Sequence, residues 1–280
     1  MNTPPFLQDR AALVTGAGGV LCSRMAVALA ACGANVALMG RRREPLETVA
    51  GEIRANGGKA LCVPCDVLDK AGLEAARVEI EKAFGPVSLL VNGAGGNNPR
   101  ATAQKETLES PADASAGGTF FDLTLDGVRD VFTLNYMGTL LPTQVFAKPM
   151  AQAGCGVIIN ISSASSFRPL TKVGAYGGAK AAVNSLTQWL AVHLAKAGVR
   201  VNAIVPGFFI TEQNRALLTT PDGGLTPRSQ KILAHTPQGR FGEPEDLIGA
   251  LLWLANDAAA GFVTGAVIPV DGGFTAYSGV

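Results

Sequence analysis

The stretch AALVTGAGGVLCSRMAVALAACGANVALMG, residues 11–40, decides the fold. Ala11 to Thr15 reads as a buried strand, and Asn35 to Met39 reads as another. Between them, residues 20–32 carry small and apolar side chains at helical spacing. Thr15-Gly16-Ala17-Gly18-Gly19 fills the junction between first strand and helix. Strand, glycine-rich turn, helix and strand make a βαβ unit, in which the strands pair in parallel through a right-handed crossover.

The same alternation runs to the C-terminus. Apolar runs at 60–64, 87–92, 156–162, 200–205 and 266–270 read as further strands, and 44–56, 69–84, 124–150, 175–196 and 243–256 as helices. Strands apolar along nearly their whole length need cover on both faces. The expected fold is α/β: one doubly wound, Rossmann-type parallel sheet over residues 1–280, with helices on both faces. Its ligand crevice lies at the carboxyl ends of the strands. Two irregular segments, 93–123 and 206–228, follow strands and should border that crevice as substrate loops.

Composition narrows the class. Lys+Arg (23) nearly balance Asp+Glu (22), which argues against nucleic acid as a partner. The apolar stretch Met25 to Met39 is broken by Gly33 and Asn35 and is too short to span lipid, so no membrane partner is expected. The start, MNTPPFLQDR, lacks a signal-peptide pattern, and five cysteines, an odd number, suit free thiols in a reducing compartment. A cytoplasmic protein is the expectation. Two histidines, His193 and His235, leave little room for a histidine metal site or a hydrolase triad.

The strand ends carry the nucleotide signals. Glycines after the first strand let backbone N–H groups approach a phosphate at a helix N-terminus, which marks Gly16, Gly18, Gly19, Val20 and Leu21. Taken alone this turn is a weak motif. The second strand ends in Gly40-Arg41-Arg42-Arg43; an acidic residue there would bind the ribose hydroxyl of NAD, whereas Arg41 accommodates the extra phosphate of NADP. The cofactor is therefore NADP or NAD, with NADP favoured. Asp66, beside Val67, ends the third strand, where a carboxylate could accept from an adenine amino group. Asn92-Gly93-Ala94-Gly95 ends the fourth, where small residues would let a cofactor lie against the backbone.

Ser162-Ser163 ends the fifth strand, and Tyr176 and Lys180 follow on one face of the next helix. A phenol ionises near about 10, and a neighbouring ammonium favours the phenolate. Tyr176 then becomes an acid-base group, Ser163 a hydrogen-bonding partner for a carbonyl or hydroxyl, and Asn135 a candidate to hold a water relaying protons to Lys180.

These residues resemble the short-chain dehydrogenase/reductase family over essentially the whole chain. The match rests on Thr15-Gly16, Asp66, Asn92-Gly93-Ala94-Gly95, Asn135, Ser163, Tyr176, Lys180 and Pro206-Gly207 with Thr211. The resemblance implies an oxidoreductase whose catalytic tetrad is Asn135, Ser163, Tyr176 and Lys180. Tyr176 and Lys180 would also hold the nicotinamide ribose, and Thr211 and the backbone near Phe209 its carboxamide. It also implies a homotetramer. Val20 and Cys22 depart from the family's glycine pattern. Segments such as GGNNPRAT (95–102) and FRPLTKVGAY (167–176) look like the D-mannonate oxidoreductase branch, sugar-acid enzymes that interconvert D-mannonate and D-fructuronate. Gluconate 5-dehydrogenase-like and 3-oxoacyl reductase-like activities, or a catalytically silent nucleotide-binding scaffold, are the alternatives.

A hexonate needs cations and amide donors. Asn97, Asn98, Arg100, Arg168, Gln213, Asn214 and Arg215 are the candidates, with one of the three arginines gripping the carboxylate bidentately. Lys172 and His235 lie near the same loops. Cys62 and Cys65 have the spacing of half a zinc or redox motif without a second pair, and read as packing.

Overall fold

A computed structural model describes residues 6–210, 218–220 and 222–279. Seven strands form one sheet in the order β3-β2-β1-β4-β5-β6-β7, every neighbouring pair parallel. They are β1 (Ala11–Thr15), β2 (Asn35–Gly40), β3 (Lys59–Pro64), β4 (Val87–Asn92), β5 (Gly156–Ile161), β6 (Val199–Pro206) and β7 (Val267–Val270). The order reverses between β1 and β4, so the loops that follow these two strands diverge and leave a crevice at their carboxyl ends.

One face is covered by α1 (Val20–Ala31), α2 (Arg43–Ala55) and α8 (Ile248–Ala255), with Met25, Leu29, Leu46, Leu251 and Leu254 packed against the strands. The other is covered by α3 (Lys70–Phe84), α5 (Gly138–Ala153) and α6 (Gly174–Leu194), which contribute Leu73, Ile80, Phe146, Met150 and Leu190. β1, β5 and β6 are buried along their whole length, as a doubly covered sheet requires. Among the described residues, no helix is long and apolar enough to cross a membrane.

Three elements differ from the sequence expectation. The helix expected over 124–150 is α4 (Leu125–Phe132), a π turn over Thr133–Met137, and α5. Hydrophobic periodicity does not register an added residue in a turn. α5 also runs through Pro142 and Pro149. The helix expected from 243 begins as a tight turn at Pro244–Leu247 before α8. Finally, α7 (Pro227–Ala234) follows the second irregular segment. Its start is marked by Thr226, whose hydroxyl accepts from Ser229 N at 3.2 Å, and by Pro227 in the first turn. A last short helix, α9 (Asp257–Ala260), precedes β7. The segment 93–123 is irregular as expected, with short turns at Pro99–Ala101, Pro111–Ser115 and Phe120–Asp122.

Candidate active site

The carboxyl ends of β1, β4, β5 and β6 open onto a cleft of about 550 Å³. Its walls run from Gly16 and Gly19, past Gly93 to Asn97, to Ser163, Tyr176, Lys180, Pro206 and Gly207. At one end α1 starts without a side-chain cap and without an acidic residue in its first turn, so its first N–H groups face an anion unopposed. Gly16 has φ +67°, and a Cβ there would lie 2.9 Å from Ala94 N and from Gly93 O. Only glycine fits that turn.

Thr15 is fully buried, and its Oγ1 accepts from Gly93 N (3.1 Å) and Ala94 N (3.2 Å). It holds the floor of the cleft in place from beneath. The next stretch of floor is set from the other side. Asn135, in the middle of the π turn and fully buried, accepts from Gly96 N at 3.1 Å and donates to Gly96 O at 2.7 Å and Val131 O at 2.8 Å. Its side-chain N–H groups are thus committed to backbone carbonyls. Its main-chain oxygen accepts from Thr139 Oγ1 at 2.9 Å. A Cβ on Gly95 would lie 2.7 Å from Asn135 Oδ1 and 3.1 Å from Lys180 Nζ, so this floor admits no side chain.

Lys180 is buried and donates from Nζ to Ile161 O at 2.8 Å. Nζ stands 5.9 Å from the centroid of the Tyr176 ring. Burial pushes the Lys180 ammonium down to about 8. Burial also pushes the Tyr176 phenol up, and its hydrogen bond with Ser163 pulls the other way. Burial of the phenol works against the expected effect of Lys180: the ammonium lies over the ring and is itself weakened by desolvation. The phenol is therefore held protonated at neutral pH, as a proton donor should be. Cys22 lies under the same floor, its thiol raised by burial to about 11.

The family profile described as enoyl-(acyl carrier protein) reductase matches residues 16–275. The uncharacterized oxidoreductase UxuB of Bacillus subtilis (strain 168) is 52% identical over 274 residues, covering 98% of each chain. The chain is a short-chain dehydrogenase/reductase. A Haemophilus structure with bound NAD, provisionally designated a D-mannonate oxidoreductase, is 51% identical, with a TM-score of 0.93 and 98% of each chain covered. A gluconate 5-dehydrogenase from Burkholderia cenocepacia, in complex with NADP and tartrate, is 33% identical, with a TM-score of 0.80 and 97% and 98% of the two chains covered. The enzyme is an NAD(P)-dependent oxidoreductase acting on alcohol and keto groups.

The cleft's residues fit such a dinucleotide: an uncapped helix start for the pyrophosphate, a floor without side chains for flat rings, and Tyr176 with Lys180 at the far end. Arg41 follows β2, exposed, and like Arg42 has no ion pair among the described residues, whereas Arg43 is engaged by Glu47 at 3.2 Å. Asp66 accepts from Leu68 N at 3.0 Å, which fixes the turn after β3. Val67 is buried against Gly138. Phe209 is buried with its ring over Gly242, and Gly207 N donates to Val270 O at 3.0 Å.

The expected substrate residues are only partly brought together. Asn97 borders the cleft, its Nδ2 on Thr102 Oγ1 at 2.8 Å. Asn98 and Arg100 do not line it: both donate to Asp130 Oδ2, at 2.9 and 2.6 Å, on the surface of α4. A carboxylate within the chain has taken the arginine, which sequence spacing could not reveal. Arg168 donates through Nε to Thr275 O at 3.1 Å, joining the loop after Ser163 to the C-terminal turn. His235 caps α7 instead, its Nδ1 2.8 Å from Lys231 O. Lys172 is in the left-handed region, φ 73°, and its carbonyl accepts from Ala103 N at 2.9 Å. Thr211, Gln213, Asn214 and Arg215 lie outside the described residues.

Sequence reading missed the polar layer beneath the site. Asn92 Nδ2 donates to Thr143 Oγ1 and Asn160 Oδ1, both at 2.9 Å, and Asn160 Nδ2 donates to Thr187 Oγ1 at 2.9 Å. All four side chains are buried, and they tie β4 and β5 to α5 and α6. An asparagine inside the otherwise apolar run GVIINI was the signal available. The first segment flanking the cleft is also joined to α7, by Lys231 Nζ to Glu106 at 2.8 Å.

Proposed function

We propose that this enzyme interconverts a sugar-acid alcohol and its keto form, with D-mannonate and D-fructuronate as the pair. The observation that carries the substrate class is the 51% identity, over 98% of each chain, to the Haemophilus structure designated a D-mannonate oxidoreductase. Asn97 on the wall of the cleft, beside Ser163 and Tyr176, supports a hydroxylated substrate. With Arg100 held by Asp130, the carboxylate falls to Arg168 or to Arg215, which lies outside the described residues.

Residues Gly16, Gly18, Gly19, Val20 and Leu21 would hold the cofactor pyrophosphate, Arg41 the adenosine ribose or its phosphate, and Asp66 and Val67 the adenine. Asn92, Gly93, Ala94 and Gly95 form the floor, with Thr15 beneath it. Tyr176 and Lys180 take the nicotinamide ribose, and Pro206, Gly207 and Phe209 border the carboxamide. The bound nicotinamide accepts a hydride in oxidation and supplies one in reduction. In oxidation, the Tyr176 phenolate takes the substrate hydroxyl proton as the hydride leaves its carbon. One alcohol and one NAD(P)⁺ give one ketone, one NAD(P)H and one proton. In reduction, the Tyr176 phenol returns that proton to the developing alkoxide. Ser163 donates a hydrogen bond to the same oxygen and stabilises its charge. Lys180 is fixed on Ile161 O beside Tyr176, and Asn135 fixes the loop that carries Gly95 and Gly96.

A homotetramer is part of the same reading. Trp189, Val192, Phe132 and Met137 are exposed on the helices α4 to α6, and a groove of about 300 Å³ between α5 and α6 offers them a partner surface. A cytoplasmic location agrees with the free state of Cys22, Cys32, Cys62, Cys65 and Cys155.

The test is product identification by NMR after incubation of D-mannonate with NAD⁺ or NADP⁺. D-Fructuronate should form with the wild-type enzyme. With Tyr176→Phe the rate should fall by roughly 10²–10⁴-fold while NAD(P)H binding persists. Undiminished turnover by that variant would overturn the assignment of the proton donor.

A further inference from the structure

The loop after β5 reads Ser162-Ser163-Ala164-Ser165-Ser166, and its hydroxyls are not equivalent. Ser165 is buried, with 3% of its surface accessible. Its hydroxyl donates to Ser163 Oγ at 3.0 Å, and its backbone N–H donates to the same oxygen at 3.3 Å. Ser163 Oγ has two lone pairs and one hydrogen. Both lone pairs are taken by Ser165, so the one hydrogen-bonding group Ser163 has left to offer is its own O–H.

We infer that Ser165 is a positioning residue that makes Ser163 a dedicated hydrogen-bond donor, toward the Tyr176 oxygen in the free enzyme and toward the substrate oxygen once substrate is seated. A serine free to accept would bind the alcohol as readily as the alkoxide. One that can only donate favours the oxygen on which negative charge develops, and the two hydrogen bonds it receives polarise its O–H further. The direction is maintained by packing. A Cβ on Gly177, next to Tyr176, would lie 3.1 Å from Ser165 O, so the start of α6 sits directly on this turn. Ser166 acts elsewhere in the loop. Its Oγ donates to the Ser163 backbone oxygen at 2.6 Å and accepts from Asn184 Nδ2 at 2.8 Å, which builds the turn without touching Ser163 Oγ. The hydrogen bond from Ser163 lowers the Tyr176 phenol against the effect of burial, so a weaker donor at Ser163 leaves Tyr176 harder to ionise.

This inference rests on the reading of Ser163 and Tyr176 as the acid-base centre, and is independent of which sugar acid is turned over. The experiment compares pH profiles of alcohol oxidation for wild type, Ser165→Ala and Ser166→Ala. Tyr176→Phe reports on the centre itself, and NAD(P)H fluorescence reports on folding. Ser165→Ala should lower kcat roughly tenfold or more, with KM little changed. It should also move the rising limb of kcat/KM against pH, which reports the free enzyme, upward by about half a unit to one unit. Ser166→Ala, equally a lost hydroxyl in the same turn, should leave that limb in place. If Ser165→Ala fails to bind NAD(P)H, Ser165→Cys replaces it. Its thiol is a weaker donor on a similar frame and should move the limb in the same direction by less. An unmoved limb in the folded Ser165 variant, with Tyr176→Phe inactive, overturns this inference and leaves the centre standing. An active Tyr176→Phe overturns the centre.

Discussion

Cys22 and Gly93 share one space: a Cβ on residue 93 would fall 2.1 Å from the Cys22 sulfur. The thiol thus stands where the wider family carries a glycine, and it is accommodated because residue 93 has no side chain. The departure at Cys22 is absorbed against the cleft floor in the first turn of α1. Gly93→Ala should therefore overpack the core and cost about 1–3 kcal/mol of stability. Cys22→Ala in the same chain should recover much of that loss. Urea unfolding of the two single variants and the double variant measures the coupling, and additive effects would refute the shared-space account.

Lys180 has a stability cost that its function explains. Its ordinary value of 10.5 falls to about 8 in the folded chain. Below about 8 the folded protein carries a charge that burial disfavours. Between about 8 and 9 the unfolded chain binds the extra proton, so this group makes stability rise with pH there. Above 9.0 Cys22, raised to about 11, works in the opposite direction and sets the upper edge of the window. Lys180→Met should raise the stability of the cofactor-free protein at pH 7 by on the order of 2 kcal/mol, offset in part by the unpaired Ile161 carbonyl, and should remove the rise above pH 8. Thermal unfolding across that range checks both, and turnover should be lost in parallel.

The raised Tyr176 phenol fixes the pH dependence of each direction of the reaction. Reduction uses the protonated form and should run at neutral pH, falling as the solution becomes alkaline. Oxidation needs the phenolate and should climb through the same alkaline range. Initial rates in both directions, on one buffer series, should cross. Parallel profiles would contradict the assignment of one group to both roles.

Arg41 is exposed just after β2 without an ion pair among the described residues, a placement that suits a ribose phosphate. Arg41→Ala should raise KM for NADPH by about tenfold while changing KM for NADH little, a difference of about 1.4 kcal/mol. Steady-state kinetics with both cofactors would show this, and equal effects on the two would assign Arg41 to general surface charge.

The sheet was legible because its strands are mostly apolar runs alternating with helical stretches, with a clear strand-to-helix start at Gly16 to Val20. The Ser163, Tyr176 and Lys180 constellation was legible because its spacing is local to one strand end and one helix. What escaped depends on contacts far apart in sequence. Asp130 claims Arg100 across thirty residues, the π turn around the expected Asn135 is averaged away by periodicity, and Asn92, Thr143, Asn160 and Thr187 meet only once the sheet is assembled. Ser165 was overlooked for a different reason: in a run of serines, composition cannot distinguish the hydroxyl that faces Ser163 from the one that builds the turn.

The central claim is that the Tyr176 centre serves a sugar acid. The most direct measurement is kcat/KM for a panel of hexonates and ketohexonates, with NADH- and NADPH-linked assays in parallel and a hydroxysteroid and a 3-oxoacyl thioester as comparison substrates. The account predicts the highest value for the D-mannonate and D-fructuronate pair. Turnover of the steroid or the thioester with none of any hexonate would contradict it.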